Sequence, residues 1–491
     1  MNEILNKRRA GVLLHITSLP GAGNNGDLGQ EAYYFVNFLH AAGITVWQTL
    51  PLGMTHADGS PYQCLSAHAG NPALINIDGL VSEGWLQLTE NCEECQGTTN
   101  FNKSCLITKA FYGFQERADQ QEKDRFAHFC REKAFWLDDF ALFLALRNEF
   151  NQQCWNQWPE HFKERDAKAI KEARQRLKAE IDCTKFEQYV FFRQWLALKS
   201  YAAQHGVLMF GDIPIFVSYD SADVWANREV FKLDESGEMS VVAGVPPDYF
   251  SATGQRWGNP HYDWHYLKKT RFHWWVERMH TQLELFDIIR IDHFRGLEAA
   301  WEIPACEATA IHGQWVKAPG EALLKAIKGE HGSIPLVAED LGVITPEVEK
   351  LRDDFHLPGM KILQFAFGGN ADNPYLPDNY EKNCVVYTGT HDNDTTVGWS
   401  NMLSDGEKEY IYEYLGRPSV SLHCALIQAA LASVANLAVI PMQDILELGS
   451  EHRMNTPGTT EGNWHWRFSW DQLSSERAAR LGHLVSLFNR N

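Results

Sequence analysis

Eight short apolar runs, separated by helix-like segments, constrain this sequence more than any other feature. They are GVLLHI from Gly11, TVWQTL from Thr45, LMFGDIPI from Leu208, IIRIDH from Ile288, PLVAED from Pro335, MKILQF from Met360, CVVYTGTHD from Cys384 and AVIPMQD from Ala438. Near-continuous apolar runs of this length suit strands covered on both faces, as in parallel sheets. Between them lie segments with helical spacing: Glu31 to Ala42 ahead of Gly43, Phe186 to Gln204 ahead of Gly206, Glu321 to Lys328, and Thr345 to Asp353. Glycine just past a helix takes left-handed backbone without steric cost and ends it. Eight strand–helix units predict an α/β fold of the (β/α)8 TIM-barrel type, one barrel spanning residues 1–491.

Two connections are too long for simple barrel loops. The first, about 51–207, follows the second strand. Its middle, Glu116 to Lys178, is charged, aromatic and nearly free of Gly and Pro, which predicts a mostly helical insertion. The second, about 216–287, follows the third strand and carries GVPPDYFSATGQRWGNP, Gly244 to Pro260, read as a shaped loop. Long loops after barrel strands are where such folds build their sites. Little chain follows the eighth unit, so no C-terminal β-domain is expected. Ala425 to Met442 is broken by Gln428, Ser433 and Asn436 and reads as a buried helix and strand, not a membrane span.

Charge narrows the partners. The chain has 44 Lys and Arg against 63 Asp and Glu, a net charge of −19. Such a surface repels phosphate backbones and anionic lipid, so nucleic acid and membranes are excluded and a neutral substrate is favoured. Seventeen Trp, 16 Tyr and 27 Phe offer flat faces suited to the apolar C–H faces of sugars. The ten cysteines are scattered. They read as reduced thiols of a cytoplasmic protein; the lone Cys92-x-x-Cys95 has no second pair at zinc-site spacing.

Acids close several strands: Asp212 on the third, Asp292 on the fourth, Glu339 and Asp340 on the fifth, Asp392 and Asp394 after the seventh, Asp444 on the eighth. A ring of carboxylates on one barrel rim serves either metal binding or glycosidic bond cleavage. Arg290, two residues before Asp292, faces the same way on a strand and is expected to hold Asp292 ionised, as a nucleophile requires. Glu339 follows an apolar stretch that would raise its pKa, as a general acid requires. For metal, His15, His293 and His391 could supply nitrogens, but no His-x-His or Glu-x-x-His spacing accompanies them, and no metal or cofactor is expected.

Longer strings carry a resemblance: SPYQCLSAHAGNP from Ser60, GDIPIFVSYDSADVW from Gly211, GVPPDYFSATGQRWGNP from Gly244, RIDHFRG from Arg290, AEDLG from Ala338, YTGTHDNDTTVGW from Tyr387 and RMNTPGTTEGNWHWR from Arg453. The chain resembles, over essentially its whole length, the 4-α-glucanotransferases (amylomaltases, disproportionating enzymes) of glycoside hydrolase family 77, in their short bacterial form. No His follows Asp212 within Ile213–Val217, which departs from ordinary α-amylases. The resemblance implies Asp292 as nucleophile, Glu339 as general acid/base and Asp392 as transition-state stabiliser. It implies sugar contacts from Tyr62, Asp212, Arg290 and His391, a covering loop with Asp248, Gln255 and Trp257, and a C-terminal loop with Asn463 and Trp464. The implied substrates are maltooligosaccharides and other α-1,4-glucans, handled without a cofactor. Two other readings stay open on the residues: a hydrolase using the same carboxylates with water, and a non-catalytic carbohydrate-binding protein.

Overall fold

The computed structural model describes residues 4–21, 23, 25–87, 100–247 and 251–491. Twelve strands are present among them: β1 Arg9–Leu13, β2 Val46–Gln48, β3 Leu208–Pro214, β4 Val241–Val245, β5 Gln255–Pro260, β6 Ile288–Asp292, β7 Ala299–Pro304, β8 Gln314–Lys317, β9 Leu336–Ala338, β10 Gly359–Ile362, β11 Cys384–Tyr387 and β12 Leu437–Pro441. Eight of them pair, all in parallel, in the order β10-β11-β12-β1-β2-β3-β6-β9. Each of the eight apolar runs contributes one of these strands.

The seam between β9 and β10 closes the barrel with few ladder bonds. Ala338 N–H donates to Pro358 C=O at 2.9 Å. The Asp340 carboxylate accepts from Met360 N–H at 2.7 Å and from Arg352 at 2.6 Å. Asp340 is therefore a seam residue. A Cβ at Gly359 would fall 2.3 Å from its carboxylate oxygen, so only glycine fits opposite it. Inside the barrel, the fully buried Tyr387 hydroxyl reaches past β12 and β1 to bond Gln48 at 2.9 Å.

The outer helices follow their apolar stripes. In Gln30–Ala41 the buried residues are Ala32, Phe35, Val36 and Leu39, one face at i, i+3, i+4 and i+7. Gly43, with φ +70°, turns the chain out of it. Phe35 packs edge-on against Trp47 of β2 at 4.7 Å. Truncating Phe35 to Ala would cost about 3–5 kcal/mol, the usual range for a buried aromatic.

The long connection after β2 is dominated by helices, including Asn100–Arg117, Gln120–Glu132, Ala134–Glu149 and the 27-residue Lys178–Gln204. The last of these clamps the loop that follows β2. Gln188, fully buried, accepts from Gly70 N–H at 2.8 Å and donates to Gly70 C=O at 2.9 Å. Gln194 does the same for Asn76, at 2.7 and 3.0 Å. At Gly70 a Cβ would lie 2.0 Å from the Phe191 ring, so this close approach of loop to helix requires glycine.

The stretch after β3 differs from the shaped loop expected. β4 and β5 form an antiparallel hairpin that joins β7 and β8 in a sheet ordered β5-β4-β7-β8. Trp257 and Gln255 thus sit on a strand. The eighth apolar run also divides: Leu437–Pro441 is strand, and Met442–Ile445 turns helical after Pro441. The helix Leu422–Ala432 and β12 occupy the segment read as a buried helix and strand. No helix among the described residues is long and apolar enough to cross a membrane.

Candidate active site

Asp212 and Arg290 are register partners on adjacent strands β3 and β6. Both side chains are enclosed, with Asp212 1% and Arg290 4% exposed. The Arg290 guanidinium splits between two acids: one nitrogen bonds Asp212 at 2.5 Å, the other Asp292 Oδ1 at 2.7 Å. The Tyr62 hydroxyl donates to Asp212 at 2.7 Å, which fixes the ring brought in by the clamped loop. Asp292 ends β6 and keeps 30% of its side chain open.

Glu339 directly follows β9. Its two oxygens accept backbone N–H groups, from His293 at 2.6 Å and from Leu341 at 2.8 Å. His293 adopts left-handed backbone, φ +54°, immediately after Asp292. A non-glycine residue in that region is held there by its surroundings. Here the turn aims the His293 amide at Glu339 and ties the two carboxyls' backbones together.

Burial raises both carboxyls. Loss of water pushes Asp292 up to about 8 against the pull of Arg290, with Glu339, Asp212 and Asp392 adding repulsion. Burial also raises Glu339, opposed by Arg290 and by the two backbone N–H groups. The expectation that Arg290 alone would hold Asp292 low is therefore corrected. The guanidinium is present but shared with Asp212, and burial together with three neighbouring acids outweighs it. Two such groups titrate as a pair.

Asp392 lies in the turn after β11. Asn455 Nδ2 donates to its Oδ1 at 2.7 Å, His391 Nε2 lies 3.3 Å from the same oxygen, and Arg453 donates to its backbone carbonyl at 3.0 Å. Burial lowers the pKa of His391. Its ring stacks on Tyr62 at 5.3 Å and 15°. Trp464, left-handed at φ +67°, brings its indole to 6.0 Å from Tyr62 and 6.1 Å from His391. Asn463 braces its own loop instead: its carboxamide accepts from Thr456 N–H at 2.8 Å and donates to Thr459 at 3.0 Å. On β5, Trp257 packs edge-on to His293 at 4.9 Å and donates to Gln255 at 3.0 Å. Asp248 lies outside the described residues, as do Cys92 and Cys95.

The remaining strand-end acids have other partners. Asp444 accepts from Thr388 at 2.5 Å and from the Thr396 N–H and hydroxyl at 2.7 and 2.6 Å. Asp394 accepts from Ser450 at 2.8 Å and from Thr395 N–H at 2.7 Å. Both stitch the turn that presents His391 and Asp392. Sequence reasoning did not single out Asn455 or Arg453, although both lie in the string from Arg453. His15 bonds Thr49 at 3.0 Å. Among the described residues, the His/Cys/carboxylate group close enough to share an ion is His423, Cys424 and Glu447, none of them an expected site residue.

A parallel barrel with acids gathered at the ends of β6 and β9 and after β11, beside stacked aromatic rings, defines a carbohydrate-active enzyme of the glycosidic-bond-cleaving class. Residues 14–473 match the family model described as 4-alpha-glucanotransferase, glycoside hydrolase 77. The chain is 50% identical over 496 residues to the 4-alpha-glucanotransferase of Thermus thermophilus, covering 98% of this chain and 99% of that one. It is 48% identical over 500 residues to that of Synechocystis sp., covering 99% of each. The solved amylomaltase of Streptococcus agalactiae in complex with acarbose superposes with a TM-score of 0.94 at 37% identity, over 99% of this chain and 100% of that one. The chain belongs to the 4-α-glucanotransferase family and is an enzyme of that activity.

Proposed function

We propose that this enzyme transfers α-1,4-glucan segments between maltooligosaccharides or starch-derived glucans by two displacements on Asp292, with release of glucose. The observation that carries the residue roles is the pairing of two enclosed carboxyls with different anchors. Asp292 is bonded to a guanidinium at 2.7 Å, which favours its ionised form within the pair. Glu339, raised by burial, holds the shared proton.

In the first displacement Glu339 gives its proton to the glycosidic oxygen while Asp292 attacks the anomeric carbon. The released glucan departs with a free 4-hydroxyl, and a glycosyl ester remains on Asp292. In the second, Glu339 takes the proton of an incoming 4-hydroxyl, which attacks the anomeric carbon, breaks its bond to Asp292, frees the carboxylate and restores the α-link. Asp392, oriented by Asn455, stabilises the positive charge that develops on the sugar. Asp212 Oδ1 and His293 Nε2 are buried without protein partners, and sugar hydroxyls would satisfy them. Tyr62, His391 and Trp464 present ring faces and edges to the sugar, and Trp257 with Gln255 covers the donor side. The eight described cysteines are all free, which supports a cytoplasmic location.

Incubation with maltotriose alone tests the acceptor. Transfer gives a ladder of longer and shorter glucans with free glucose. Breakdown to glucose and maltose without longer products would make water the acceptor and overturn the proposal.

A further inference from the structure

His423 and Cys424 open the helix Leu422–Ala432, and the His423 Nε2 lies 3.3 Å from the Cys424 Sγ. Three elements converge on this pair. Glu447, just beyond Met442–Ile445, lies 3.6 Å from the same imidazole nitrogen. Arg477 and Arg480 come from Ser475–Leu487; Arg480 bonds Glu447 closely and Arg477 lies 3.4 Å from its other oxygen. Cys424, Arg477 and Arg480 line one cleft of about 250 Å³, with Val420, Ile427 and Leu484 among its apolar walls. None of these residues belongs to the carboxylate site.

The three donor types could suggest a metal, but the charge argues otherwise. Glu447 already answers two guanidinium groups, and a divalent cation would have to displace them. The same positive charge favours a thiolate. Thiols are activated at helix N-termini and beside imidazole or arginine. All three conditions meet at Cys424, which is 9% exposed, and its pKa is lowered, by His423 first, against the opposing effect of burial, and by Ser421 and Arg480 besides. The imidazole is correspondingly raised by Cys424 and Glu447. Asp444 and Glu476 are the further acids that face this group, the first toward His423 and the second toward Arg480.

We propose that Cys424 is a modification site: a reactive thiol, paired with His423 in an arginine-lined cleft, that exchanges with small anionic disulfides of the glutathione type. His423 accepts the thiol proton. The Cys424 thiolate attacks one sulfur of the small disulfide, a new S–S bond forms to Cys424, and the original S–S bond breaks. The departing thiolate takes the proton back from His423. One protein thiol is oxidised and one half of the small disulfide is reduced, so no other oxidant is needed.

Cys306 is exposed and serves as the internal reference. The intact enzyme is treated with limiting iodoacetamide across a pH series, and separately with glutathione disulfide or cystamine, followed by peptide mapping. At pH 7 an ordinary thiol is ionised to only a few per cent, so Cys424 is expected to alkylate at least about fivefold faster than Cys306 and to hold its rate to lower pH. His423→Gln and Arg480→Gln should each slow it, with Cys306 unchanged. The arginines should make the anionic glutathione disulfide react faster than the cationic cystamine. Alkylation of Cys424 no faster than Cys306 in the unaltered enzyme overturns the proposal without recourse to any variant. A faster reaction with cystamine overturns the choice of an anionic partner.

Discussion

Asn455 donates its side-chain amide to Asp392 Oδ1 at 2.7 Å, across 63 residues of chain. The bond orients the acid that, in the proposed mechanism, faces developing positive charge on the sugar. A hydrogen bond to a charged group contributes about 1.5–3 kcal/mol. Asn455→Ala is therefore expected to lower kcat by roughly 10- to 150-fold, since 1.4 kcal/mol is a factor of ten. The KM for maltotriose should change much less, because Asp392 would still be present but free to rotate. Steady-state kinetics decide this; a rise in KM with kcat unchanged would make Asn455 a binding residue only.

Trp257 stands on β5 as part of a hairpin, which gives it a firmer footing than a loop. Loss of one aromatic stack costs on the order of 1–3 kcal/mol, by analogy with base stacking on aromatic side chains. Trp257→Ala should then reduce transfer by about 5- to 150-fold. Water needs no groove, so hydrolysis should fall less. Free reducing ends are compared with chain-length redistribution in one maltotriose reaction. Equal loss of both would leave Trp257 a plain donor contact.

The enclosure of Asp292 has a consequence for stability. Its folded pKa is pushed up to about 8, while an unfolded Asp ionises near ~3.9. Between those values the folded state holds the proton that Asp292 and Glu339 share, so the pair's contribution to stability falls as pH rises through the window. Below the unfolded value it is fully favourable. Asp292→Asn removes one of the two acids and reduces the dependence, while burial still raises Glu339. The variant's Tm relative to the parent should rise with pH across the window and level off above it, while transfer falls by about 10⁴-fold or more, as for loss of one member of a cooperating catalytic set. A Tm that drops below the parent's at the alkaline end would contradict the sign.

Gln188 links the helical insertion to the catalytic loop. Gln188→Leu strands the buried N–H and C=O of Gly70, and each unsatisfied buried group costs about 1–3 kcal/mol. Denaturant unfolding should show a loss of roughly 2–5 kcal/mol on that basis. The loop also carries Tyr62, so the KM for maltotriose should rise in protein that remains folded. Unchanged stability would mean that the loop finds other partners.

The barrel was legible because its strands are buried on both faces and so read as unbroken apolar runs. That Asp292 and Glu339 come to one rim was legible because each closes such a run. The β4, β5, β7 and β8 sheet was not. Strands such as QRWGNP mix polar, aromatic and glycine residues, and the β4–β7 pairing that joins the two hairpins spans β6 in the chain. Strand-end position could not separate Asp392 from Asp340, Asp394 and Asp444; only the resemblance carried by the string from Tyr387 did. All four follow apolar strands, and only their distant partners, Asn455, Arg352, Ser450 and Thr396, give them different work. The pKa of Asp292 differs from the sequence reading for a related reason: Arg290 lies two residues away, whereas the burial that raises the carboxyl and the acids that add to it come from other strands.

The roles of Asp292 and Glu339 meet their most direct test in trapping the glycosyl ester. Glu339→Gln is mixed with maltotriosyl fluoride, whose leaving group needs no acid, so the first displacement proceeds. Without a base the second is slowed and the ester accumulates. Intact mass and peptide mapping should find one maltotriosyl group, attached at Asp292. A label on Asp212 or Asp392, or turnover with no covalent species, would contradict the double displacement on Asp292.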